Sequence, residues 1–227
     1  MKSPWVTLRN GIMGPMHEYG FKLYMGIFIS YGWALFGINI LTLLLCVPVV
    51  TAPAALCANN RVLMKLTLSG ECKMMKEYWG EFKSSKFRYL PFFSITAALS
   101  VGLGLVIYYL LFAYEIGLLG YVLVAFCGLA ILFLYLVYTY ATLLFVSVDL
   151  PIGTNIKNAV LLTLTQPKQD FLIILMPFAI TLITVLLMPH TIPMLIVLIP
   201  TFTTLISCII VKRAFEEQIL LPDDAQE

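Results

Sequence analysis

Six apolar runs separated by short polar breaks organise the 227-residue chain. About 20 apolar residues suffice for a helix to cross a hydrocarbon core of roughly 30 Å, so the runs predict six membrane spans. The first covers about Gly26 to Val47 and the second about Ala52 to Leu68, joined by the turn P-V-V-T-A-P. There Pro48 closes the first span, Thr51 is suited to cap the next helix and Pro53 fits its first turn, while Gly70 ends that helix. The remaining runs are about Leu90 to Tyr114, Leu118 to Val148, Phe171 to Met188 and Met194 to Val211. The run starting at Leu118 is too long for one crossing, measuring roughly 45 Å as a helix. Its last turns, with Leu143, Leu144 and Phe145, are expected to leave the bilayer and to be covered by residues 154–166 or by a partner.

Two intervening segments are amphipathic. Residues 71–88 place Met75, Tyr78, Trp79 and Phe82 at helical spacing among Lys73, Lys76, Lys83, Lys86 and Arg88. That pattern predicts a helix lying at the inner headgroup level. Residues 154–168 offer Ile156, Ala159, Val160 and Leu164 as a second apolar face. The fold class read from this pattern is an all-α, polytopic membrane helix bundle, a single domain over 1–227.

Charge fixes the expected orientation. All fourteen Lys and Arg can be placed on one side of six spans, and the turns near Pro48, Glu115 and His190 carry none. Cytoplasmic loops retain Lys and Arg, so both termini are expected inside. Composition adds that 61% of residues are hydrophobic and 11% charged, with mean hydropathy +0.96, leaving no room for a large soluble domain. Five cysteines without metal-binding spacing read as small packing residues. Residues 1–25 lack the apolar stretch of a cleavable signal.

Candidate chemistry is sparse. Asn39, Asn59, Asn60 and Arg61 form the one polar group placed inside the spans. Such residues are costly in hydrocarbon unless paired or wet. Two readings stay open: an anion or hydroxyl-rich ligand site, or hydrogen-bonding glue between helices with Arg61 reaching inner-leaflet phosphates. Tyr78, Trp79, Phe82, Lys83, Lys86 and Phe87 read as a surface for docking a partner or phospholipid headgroups. No carboxylate lies mid-span, and His17 and His190 fall on opposite sides. Nucleophile, zinc and phosphate-loop motifs are missing, so enzymatic activity, a cofactor, a metal site and nucleic-acid binding are not expected.

The stretch from Asn39 through Phe93, with N-I-L-T-L-L-L-C-V-P-V-V-T-A-P-A-A-L, then G-E and W-G-E-F-K-S-S-K-F, resembles the YesL-like bacterial membrane proteins. N-A-V-L-L-T-L-T-Q-P before the fifth span is a looser match. The residues carrying the likeness are Asn39, Pro48, Thr51, Pro53, Gly70, Glu71, Phe82, Lys83 and Phe87. Ser69 stands where the family often has a basic residue. The resemblance implies a multi-pass protein of the bacterial cytoplasmic membrane, of a kind commonly encoded beside carbohydrate ABC importers. It therefore implies an accessory subunit supporting the assembly or activity of such a transporter by contact with its membrane subunits. The rival expectations are a stand-alone channel or carrier with a polar path near Asn39 and Arg61, and a lipid-bound assembly factor.

Overall fold

The computed structural model describes residues 21–70, 72–85, 88–113, 117–148, 150–186, 201 and 203–212. They form α1 (Phe21–Cys46), α2 (Ala52–Ser69), α3 (Met74–Ser85), α4 (Leu90–Ala113), α5 (Leu118–Ser147), α6 (Ile152–Thr165) and α7 (Pro167–Leu186). A further apolar helix, α8, is Thr203–Lys212. The described chain is all-helical. Three stretches are long and apolar enough to cross a membrane: Tyr24–Cys46, Leu90–Phe112 and Leu118–Ser147. The expected turns at Glu115 and His190, and the first part of the sixth run (residues 194–200), lie outside the described residues.

The least apolar long helix takes the centre. α2 carries Asn59, Asn60, Arg61 and Lys65, and thirteen of its eighteen residues are buried. α1, α3 and α5 surround it, with the α2–α3 contact the most extensive in the molecule. This is the arrangement a low-dielectric solvent selects, because a polar helix facing lipid would lose its hydration without replacement. α4 and α5 behave differently. No residue in the apolar stretch of α4 is buried, and the first half of α5 exposes Leu118, Leu119, Val122 and Phe126.

α5 runs unbroken through Tyr138 to Ser147, and its last third, including Leu143, Leu144 and Phe145, is buried. α6 packs on that segment, but through Asn155, Ala159, Leu162 and Thr163. The expected face is thus rotated: Ile156 and Val160 are half-buried, and Leu164 is 67% exposed. An aromatic cluster ties the start of α4 to the same end of α5. Tyr89 stacks on Phe145 at 4.5 Å between ring centres, and Phe92 meets Phe145 edge-on at 5.2 Å.

The α1–α2 turn shows one departure from the expected capping. Thr51 holds the N-cap position and Pro53 is in the first turn, but Thr51 makes no side-chain cap bond to α2. Its hydroxyl faces backwards instead, towards the Leu45 carbonyl at 2.6 Å and the Pro48 carbonyl at 2.9 Å. The carbonyls ending α1 have no other donor from their own helix. At the other end of α2, Gly70 adopts φ 72° and returns its N–H to Leu66 at 3.0 Å. This is the left-handed stop that glycine enters without strain.

Gly70→Ala should therefore lower the apparent melting temperature of the detergent-solubilised protein by about 2–4 °C, the shift expected from roughly 1 kcal/mol at this size. Gly70→Asn, which tolerates the left-handed region better, should recover part of that loss. Equal melting of all three proteins by circular dichroism would show that Gly70 does not set the stop.

Candidate functional site

The polar seam is built around Arg61, which is 5% exposed. Its guanidinium donates to the backbone carbonyl of Val146, across 85 residues of sequence. Val146 lies in the last turn of α5, where carbonyls have no partner in their own helix and the helix macrodipole presents its negative end. A guanidinium suits that place because it offers several donors and stays charged. The neighbouring carbonyls are answered too: Phe145 accepts from the Tyr89 hydroxyl at 3.1 Å and Leu144 from the Val148 N–H at 3.0 Å.

The charge of Arg61 is met by Glu77 from α3, with Nε 3.8 Å from Oε2. Lys65, one turn along α2, donates to Oε1 of the same carboxylate at 2.7 Å. Glu77 thus joins two cations of α2 and explains why α3 packs so closely on that helix. Beside this cluster, burial pushes the Cys72 thiol up to about 11; Glu77 adds to the rise, while Lys65 and Arg61 oppose it. All five cysteines are free thiols.

The four polar residues expected inside the spans do not converge on one point. Asn39 and Asn59 are both 2% exposed. Asn39 Nδ2 and Asn59 Oδ1 lack a hydrogen-bond partner among the described residues. Asn60 instead lines a separate cavity of about 220 Å³ between α2, α5 and α8. Tyr135, Tyr138, Thr139, Thr142 and Ser207 share its wall, making it rich in hydroxyls.

The expected docking surface is corrected at its centre. Tyr78 is fully buried, its hydroxyl 3.1 Å from that of Thr42 on α1. Burial raises its pKa to about 12, with the Thr42 bond acting in the opposite direction. Successive helical residues diverge by about 100°, so Tyr78 turning inward sends Trp79 outward. Trp79 is 40% exposed, Lys83 is exposed and Phe82 is half-buried; Lys86 and Phe87 lie outside the described residues. The inward stripe is Met74, Tyr78, Glu81 and Ser85, and Ser85 donates to the Glu81 carboxylate. α3 is therefore a packed member of the bundle and not simply an amphipathic anchor.

Neither Glu77, which meets Arg61 and Lys65, nor the buried Glu81 is among the residues singled out from the sequence. Also unanticipated is a buried pair in which Tyr140 of α5 donates to Asp170 Oδ1 of α7 at 2.8 Å. The regular spacing of 74, 78, 81 and 85 could have revealed the inward Glu81. No local signal links Glu77 to Arg61 or Asp170 to Tyr140.

Comparison of the chain with protein-family models, curated proteins and solved structures finds no match.

Glu77→Ala should destabilise the protein by about 3 kcal/mol, the low end for removing one partner of a buried pair, because Glu77 keeps some solvent access. Lys65→Ala should cost less than about 1 kcal/mol, since Arg61 still faces the carboxylate. Denaturant unfolding in detergent checks the order; a Glu77→Ala protein as stable as wild type would refute this account of the seam.

Proposed function

We propose that the chain is a six-span protein of the bacterial cytoplasmic membrane, with both termini inside, acting as an accessory subunit of a carbohydrate ABC importer. The one-sided placement of Lys and Arg supports this orientation. The direction of two helices supports the number of crossings but not which side is inside. Leu56 and Asn60 share a cavity with Tyr135 to Thr142, and Arg61 reaches Val146, so α2 and α5 run the same way. Two such helices need an even number of crossings between their starts, which α2 and α4 supply if α3 stays on the inner side. In a background lacking native cysteines, Glu115→Cys and His190→Cys should react with an impermeant thiol reagent added outside intact cells. Lys83→Cys should not, and its labelling would overturn the orientation.

The partner class comes from the YesL-like resemblance; the observation that carries the docking role is the outward face of α3. Met75 at 58% and Trp79 at 40% exposure stand there beside Lys76 and Lys83. A large aromatic residue flanked by polar groups is the common centre of a protein interface. The role is support of transporter assembly or activity, with no chemistry performed on the sugar. One observation favours the rival carrier reading: the hydroxyl-lined cavity at Asn60 suits a small polar solute.

Affinity purification in mild detergent separates the two. Permease and ATPase subunits should co-purify with the wild-type protein, and Trp79→Ala should reduce their recovery about tenfold or more while leaving membrane insertion unchanged. Unimpaired sugar uptake in a deletion strain, together with no co-purifying transporter subunit, would sink the accessory role and promote the carrier.

A further inference from the structure

A second polar feature lies where α2 ends. A cleft of about 440 Å³ opens there, lined by Tyr31 of α1, Lys65 of α2, Cys72 and Lys73 of the connection, and Lys76 and Glu77 of α3. Three ammonium groups thus face one carboxylate. Glu77 is already engaged, its Oε1 held by Lys65 and its Oε2 turned towards Arg61. Counting Arg61 behind the wall, four cations oppose that one carboxylate among the described residues, a balance of three positive. Lys73 and Lys76 are exposed at the rim. α3 begins at Met74, so the positive end of its macrodipole adds to the same field.

The depth of the cleft follows from the helices around it. With eighteen residues, α2 is about 27 Å long, close to the roughly 30 Å of a hydrocarbon core. Its Gly70 end therefore reaches one headgroup layer when the Thr51 end meets the other. The Tyr31 hydroxyl donates to the Gly70 carbonyl at 3.2 Å, which ties that part of α1 to the same height. Two residues along α1, Trp33 is 89% exposed, where tryptophan commonly marks the boundary between headgroups and acyl chains.

We infer that this cleft binds the phosphate group of an anionic phospholipid, with Lys73 and Lys76 at its rim and Lys65 at its base. The site shares Lys76 with the edge of the outward face of α3 but includes neither Met75 nor Trp79, and it stands whether or not that face docks a transporter. Basic pockets between helices at the cytoplasmic surface are suited to such headgroups.

The test uses the full chain, purified in mild detergent, delipidated and titrated with phosphatidylglycerol or phosphatidylcholine under native mass spectrometry. The wild type should retain phosphatidylglycerol about tenfold more tightly than phosphatidylcholine. Lys73→Ala combined with Lys76→Ala should abolish that preference while circular dichroism shows unchanged helicity, as expected for two exposed side chains. Lys157→Ala, an exposed lysine of α6 that does not line the cleft, should keep the preference. Equal retention by wild type and the double variant would overturn the site, and an equal loss in Lys157→Ala would reduce it to diffuse surface charge. Binding of inorganic phosphate with no preference between the two lipids would overturn the lipid assignment in favour of a soluble anion.

Discussion

A helix whose end is buried in protein leaves its last carbonyls without partners of its own, and only neighbouring side chains or backbone can supply them. The bundle is organised around that deficit. Arg61 and Tyr89 serve the end of α5, Thr51 the end of α1 and Tyr31 the carbonyl of Gly70 beyond α2. In each case the donor is a side chain outside the helix it completes. Most Thr and Ser hydroxyls within the helices return to a carbonyl of their own helix, but these four side chains are cross-ties to backbone atoms, and the segments they join cannot slide without orphaning a buried group.

Arg61 carries the greatest consequence because it brings a charge with it. The charge requires Glu77, and Glu77 brings α3 against α2. α3 then turns Tyr78 towards Thr42 and Trp79 away from the bundle. The outward face offered to a partner is in this sense set by an ion pair on the opposite side of the same helix. The molecule is also unevenly packed: the Arg61 end of α5 is buried, whereas its first half is largely exposed and no residue in the apolar stretch of α4 is fully buried, Phe92 and Phe93 being partly covered where they meet the core.

The helices were largely legible because apolar length and Gly or Pro punctuation are local signals. Runs ending near Cys46, Gly70 and Ala113 stop within a few residues of where the pattern places them. Centrality was not legible. Asn59, Asn60 and Arg61 marked α2 as anomalous, but nothing nearby in sequence says that Val146 and Glu77 receive Arg61. Tyr78 failed for a related reason: spacing among apolar residues ignores a hydroxyl whose partner, Thr42, belongs to another helix. Asp170 was assigned to a connecting segment, although it opens α7 and meets Tyr140. Long-range polar pairing decides these cases, and a hydrophobic period carries no record of it.

The 85 residues between Arg61 and Val146 also impose a temporal order on biogenesis. Chains are synthesised at about 5–20 residues per second, so roughly 4–17 s separate the emergence of the two. Glu77 is made soon after Arg61 and neutralises it early; the carbonyl at the end of α5 arrives only after α4 and most of α5 have been made. Until then α2 has only α1 and α3 beside it, and the packing that shelters Arg61 is complete only once the end of α5 has been made.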